Sequence, residues 1–165
     1  MKETETRFSQ MVREQRSTIY TVCYMFSNNE EEVNDLFQEV LLHLWQGFER
    51  FEGRSDVKTW VYRIALNTCV SIDRKKRRRP VLTTLKKSFN LFEDHDENTR
   101  QVAQLHQRIG RLQPVDRALV LLWLEDMSYD EISQITGLTV KNVSVRLYRI
   151  KEELKKMNNH ETGEH

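Results

Sequence analysis

An all-α protein of two small helical domains joined by a flexible linker is what this sequence predicts, with a helix-turn-helix in the second domain. Three observations carry that prediction. Apolar residues recur at three- and four-residue spacing over most of the 165 residues. Five Gly and two Pro supply too little turn chemistry for many short strands. The periodicity lapses once near the middle, between Pro80 and about Asn98, where a charged cluster runs from Glu93 to Glu97. The expected division is therefore a first domain over 1–79, a linker over 80–98, a second domain over 99–158 and a disordered tail over 159–165.

The first helix is expected from about Thr4 to Phe26, because Phe8, Met11, Val12, Ile19, Val22, Cys23 and Phe26 fall on one stripe. Asn28-Asn29 interrupts it. Asn29, three residues before Glu32, is suited to cap the next helix, whose first turn is acidic as the helix dipole favours. That helix reaches about Arg50 and should bury Val33, Leu36, Phe37, Val40, Leu41, Leu44 and Phe48. A break over Phe51–Asp56 follows, with Ser55 or Asp56 as the cap of a third helix. Its inward face is expected at Val57, Trp60, Val61, Ile64, Ala65, Thr68 and Ile72. Thr59, Arg63, Leu66, Asn67, Val70 and Arg74 are expected outside. The helix runs into a basic stretch over residues 74–79, and Pro80 disfavours helix at the residue before it.

In the second domain Val102, Leu105, Ile109 and Leu112 should line one helix, and Pro114 suits the first turn of the next. Residues 115–124 are densely apolar, too short for a membrane span and suited to a buried helix. Ser128 with Glu131 is a capping box opening a helix over Tyr129–Thr136, and Gly137 suits the left-handed residue that ends it. Thr139 caps the last helix, with Val143, Leu147, Ile150 and Leu154 inward. Two short helices joined by a Gly turn form a helix-turn-helix, which predicts that the second enters a major groove of DNA.

The net charge of +1 conceals strong local asymmetry: −4 over residues 1–73, +6 over 74–79 and −1 over 80–165. Different surfaces should meet different partners. The polar N-terminus is unlike a secretion signal, so the expected compartment is the cytoplasm. Cys23 and Cys69 lack zinc or disulfide spacing, and the five His residues show no metal pattern. No phosphate loop or nucleophile motif occurs, so neither an enzyme, nor a cofactor, nor a small-molecule substrate is expected.

Three exposed faces are candidates for function. On the last helix Lys141, Asn142, Ser144, Val145, Tyr148 and Arg149 are outward or flanking. With Arg146 they offer cations for phosphates, Asn and Arg for base edges, and a Val for a thymine methyl. On the third helix Arg63, Asn67 and Arg74, with Tyr62 nearby, lead into Lys75, Arg77 and Arg78. Cations tracking a backbone beside an amide and an aromatic suit a single strand or a distorted duplex. On the second helix Asp35, Gln38, Glu39, Leu42 and Gln46, with Trp45 at the border, could form a protein-docking strip. Ordinary surface helices also carry stray leucines.

Three segments fall together: Asp35-Leu-Phe-Gln-Glu-Val-Leu-Leu-His-Leu-Trp45, then Val57-Lys-Thr-Trp-Val-Tyr-Arg-Ile-Ala-Leu-Asn67 running into basic residues, then the C-terminal helix-turn-helix. From Phe8 to Lys156 the chain resembles the small bacterial sigma factors of the extracytoplasmic-function (ECF) group. The resemblance implies that Asp35, Gln38, Glu39, Leu42 and Trp45 dock on core RNA polymerase. It implies that the loop with Phe51, Arg54, Ser55 and Asp56 holds a base flipped from the −10 element of promoter DNA. Asn67 would lie nearby and residues 74–78 on the backbone, while the last helix reads the −35 element as duplex. Glu93–Glu97 would lie near the RNA exit path. An anti-sigma factor, in this group often at the inner membrane, would be a further partner without membrane insertion by this chain. Ser144 and Val145 stand where members often carry a basic or hydroxyl pair, and Ser133 where they often carry Ala. The base preferences of that helix therefore stay open. The rivals are a stand-alone helix-turn-helix regulator, which would bind symmetric operators by itself, and a protein adaptor with no promoter-dependent effect.

Overall fold

The computed structural model describes residues 2–51, 53, 56–78 and 97–163. These residues form helices α1 (Lys2–Met25), α2 (Glu30–Phe48), α3 (Val57–Arg78), α4 (Glu97–Gly110), α5 (Pro114–Leu124), α6 (Tyr129–Thr136) and α7 (Val140–Gly163), and no strand occurs among them. The chain divides into two compact units over residues 1–89 and 90–165. The expected linker lies, up to residue 96, outside the described residues, while Glu97 and Asn98 already belong to α4. The tail expected to be disordered from residue 159 is helical through Gly163.

The first unit is a three-helix bundle whose side-chain contacts fix its topology. Near the start of α1, Phe8 sets its ring edge-on against Trp45 and Phe48 near the end of α2, at centroid distances of 5.1 and 5.4 Å. Phe48 in turn lies 6.4 Å from Trp60 at the start of α3. At the opposite end Lys76 of α3 lies 4.0 Å from Glu32 of α2. Thus α1 and α3 run one way and α2 the other. The core comprises Met11, Ile19, Val22 and Cys23 of α1, Val33, Leu36, Val40 and Leu44 of α2, and Trp60, Val61, Ala65 and Cys69 of α3.

Two expectations for α3 are corrected. Leu66, expected outside, is 4% exposed, and Tyr62, expected beside the cationic face as an aromatic for a strand, is 1% exposed. A helix packed against two neighbours buries more than one stripe, so the inward arc of α3 is wider than a single amphipathic face.

In the second unit local chemistry sets each boundary. Pro114 sits in the first turn of α5, where its missing N–H is harmless. Ser128 and Glu131 close the capping box of α6: the Glu131 N–H donates to Ser128 Oγ at 3.1 Å and the Ser128 N–H to Glu131 Oε1 at 3.2 Å. Gly137 ends α6 at φ 78°, and Thr139 Oγ1 caps α7 by accepting from the Asn142 N–H at 3.1 Å. The α4 stripe is only half covered. Ile109 and Leu112 are buried, but Val102 and Leu105 remain 49% and 39% exposed. Periodicity marks an apolar stripe; it does not say how far a neighbour covers it.

Candidate functional site

Three surfaces meet the sequence expectations to different degrees. The first is on α2, which Asn29 starts by accepting the Glu32 N–H at 2.8 Å. With Val33, Leu36, Val40 and Leu44 buried, helical geometry turns Asp35, Gln38 and Glu39 outward, and all three are exposed. Leu42 and Trp45 are exposed beside them at 49% and 42%. The Trp45 ring is held edge-on by Phe8, so it is presented in one orientation. An apolar centre within a rim of acceptors suits a partner surface bearing cations.

The second surface is on α3 and the loop before it. Arg63, Asn67, Arg74 and Lys75 are exposed, whereas Tyr62 is buried and offers no face to a strand. Arg77 and Arg78 continue the helix. Phe51 stacks on Trp60 at 4.6 Å and 25°, fixing where the loop leaves α2. Gly53 adopts φ 70°, which an L side chain resists, and the carbonyl of exposed Asp56 accepts the Trp60 N–H at 3.0 Å. Arg54 and Ser55 lie outside the described residues. On α1, Tyr20 and Tyr24 stack at 6.4 Å. Burial pushes the Tyr24 hydroxyl up to about 12, with Tyr20 adding to the shift.

The third surface is on α7. Val143, Leu147 and Ile150 are buried, and Lys141, Asn142, Ser144, Val145, Tyr148 and Arg149 are exposed, Tyr148 most of all at 69%. Arg146 is turned partly inward, 3.9 Å from Asp116 of α5. A cation so placed ties α7 to α5 as well as adding positive charge. Lys151 lies 4.4 Å from the Trp123 ring centroid, a second tie between the same helices.

Sequence reasoning missed several supporting residues. Arg117 is 5% exposed and donates from Nη2 to the Gly110 carbonyl at 2.6 Å, so a buried cation closes the C-terminal end of α4. Ser133 Oγ donates to the Leu138 carbonyl at 2.6 Å across the helix-turn-helix turn. That bond gives the residue which departs from the family pattern a structural use. His43 Nδ1 lies 2.8 Å from Thr68 Oγ1, joining α2 to α3. A partner twenty-five positions away leaves no local trace for a reader of sequence to find.

Known proteins resemble this chain in sequence and in fold. The family model for Sigma-70 region 2 matches residues 11–79, and that for Sigma-70, region 4 matches residues 103–154. The ECF RNA polymerase sigma factor SigG of Mycobacterium tuberculosis is 38% identical over 78 residues, a match spanning 47% of this chain and 21% of that protein. The RNA polymerase sigma factor SigV of Bacillus subtilis is 25% identical over 155 residues, spanning 90% of this chain and 91% of that protein. Among solved structures, the sigma factor RpoE in complex with the anti-sigma factor NepR from Bartonella quintana shares the fold. Its TM-score is 0.68 at 19% identity, covering 93% of this chain and 97% of that one.

Proposed function

The chain belongs to the ECF group of sigma-70 RNA polymerase sigma factors, and from that premise we propose that it carries core RNA polymerase to promoters and starts transcription there. Asp35, Gln38, Glu39, Leu42 and Trp45 dock on the polymerase. Phe51, Arg54, Ser55, Asp56, Arg63, Asn67, Arg74, Lys75, Arg77 and Arg78 meet the opened −10 element. Lys141, Asn142, Ser144, Val145, Tyr148 and Arg149 read the −35 element as duplex, with Arg146 adding charge and support. The units at residues 1–79 and 99–158 act as separate DNA-gripping modules. The protein acts as an initiation factor with no reaction of its own.

One observation carries the reading. A single three-helix unit exposes an acceptor-rich strip on α2 and a cationic, amide-bearing face on α3, while a second unit presents a basic helix-turn-helix face. A stand-alone regulator would leave both faces of the first unit without work. Unstacking a base costs a few kcal/mol, so a loop that binds only the extruded base converts recognition into strand opening. Duplex contacts from α7 supply position and register.

The proposal includes an anti-sigma partner, supported by the complex of RpoE with NepR. It places the protein in the cytoplasm, with any hold at the inner membrane belonging to that partner. No helix among the described residues is long and apolar enough to cross a membrane. The test is reconstitution: purified chain added to core polymerase should start RNA synthesis from particular fragments of a genomic library. Synthesis no greater than with core polymerase alone would overturn the reading.

A further inference from the structure

We propose that His43 is a positioning residue that locks the strand-opening helix α3 to the docking helix α2, so that polymerase binding and −10 recognition share one rigid frame. The inference rests on the function proposed above. The buried residues of α2 are apolar, and Ala65, Leu66 and Cys69 of α3, all within one turn of Thr68, are buried as well. Apolar burial is non-directional, and the aromatic contacts that pin these helices lie at one end of the bundle, away from Thr68. A hydrogen bond has a preferred distance and angle, and so fixes register.

The bond in question is specific about its proton. Thr68 is 4% exposed, and its hydroxyl donates to the Ile64 carbonyl of its own helix at 2.8 Å. A hydroxyl has one hydrogen, and that hydrogen is committed. The contact of 2.8 Å between Thr68 Oγ1 and His43 Nδ1 therefore requires Nδ1 to carry a hydrogen and donate it. His43 directly follows Leu42 of the docking strip and lies one turn beyond Glu39. Thr68 directly follows Asn67 of the DNA-facing surface. The bond thus joins the two working faces through their immediate neighbours. The ion pair of Lys76 with Glu32, at the 4.0 Å limit of ion-pair distance and with the Lys76 side chain 56% exposed, is open to screening by salt and fixes register less.

The imidazole offers two nitrogens, and two substitutions tell them apart. Asn sets a side-chain N–H about where Nδ1 stands, whereas Gln reaches the position of Nε2. With core polymerase saturating, strand opening is read from 2-aminopurine fluorescence in the −10 element, and core affinity is titrated separately. His43→Leu and Thr68→Val should each lower the extent of opening about fivefold, the effect of one ordinary hydrogen bond, with core affinity little changed. His43→Asn and Thr68→Ser should restore opening, and His43→Gln should not. Equal rescue by Gln, unchanged opening in the Leu and Val variants, or a parallel loss of core affinity would each overturn the positioning role. Asp35→Ala with Gln38→Ala serves as the separate control on docking. Should that pair leave core affinity intact, the docking reading falls, and this inference with it.

Discussion

In α1–α3 the working faces are spread over two helices and held by contacts between residues far apart in the chain. In α4–α7 the face proposed to read DNA lies on one helix whose entry is set by near neighbours. Phe8, Trp45, Phe48, Phe51 and Trp60 come from three helices and a loop to pin one end of the first unit. Ser128 with Glu131, Ser133 with Leu138, and Thr139 with Asn142 build the helix-turn-helix from bonds spanning three to five positions. The difference suits the two tasks proposed for these units. A duplex groove has a regular shape that one rigid helix can read. An opened strand needs a surface assembled from several elements and kept in register with the machine that opens it.

The largest expected effect tests whether packing governs the first unit. Trp60 is 9% exposed, stacks on Phe51 and faces Phe48. Trp60→Ala should remove about 3–5 kcal/mol of stability from the α1–α3 bundle, the range for large-to-small core changes in aromatics. Hydrogen exchange resolved by peptide should show the loss across all three helices. Protection retained in α1 and α2 would mean that the aromatic end is an ornament on a bundle stable without it.

The same contrast explains what the sequence revealed. Capping and turn chemistry is local, so Asn29, Ser128, Glu131, Gly137 and Thr139 could be read directly, and each appears in the structure as a cap or turn residue. The outward set on α2 followed from helical periodicity alone. Leu66 was placed outside, and Tyr62 offered beside the cationic face, because periodicity assigns one inward stripe, and α3 is wedged between two helices. Val102 and Leu105 lie on α4 as expected, on an apolar stripe longer than its cover. His43 with Thr68, and Arg117 with Gly110, were invisible because the meeting of the two chain segments is itself a product of folding. DNA contact by the α7 and α3 faces was read from their residues, whereas the polymerase, −10 and −35 assignments came from resemblance.

A smaller effect probes local control in the second unit. Gly137 ends α6 at φ 78° with nothing within 4 Å of where a Cβ would stand. The penalty for Gly137→Ala is therefore one of backbone conformation alone, about 1–2 kcal/mol for a left-handed L residue. Urea unfolding of the full chain, followed through the amides of α6 and α7, should show it, together with weaker binding to −35 duplex. An unchanged midpoint would mean that the turn relaxes without Gly, and that its geometry is not set locally.

The smallest effect has the opposite sign and comes from the same region of backbone space. Asp126 follows α5 at φ 60°, the one non-Gly residue with positive φ among the described residues. Its N–H donates to the Trp123 carbonyl at 3.0 Å and that of Met127 to the Leu122 carbonyl at 3.2 Å, the paired bonds of a Schellman ending. Gly usually fills this position; an Asp there carries left-handed strain and sets a negative charge at the helix end where the dipole is also negative. Asp126→Gly relieves both, but it gives the unfolded chain more freedom to lose. The net gain should therefore be below about 1 kcal/mol, since Asp tolerates this conformation better than most residues. A modest rise in the urea midpoint would show that two turns of one unit obey one local rule, one optimised and one not. A fall would show that the Asp126 side chain contributes more to the α5–α6 corner than its backbone costs, and the second unit would then resemble the first in relying on more than near-neighbour chemistry.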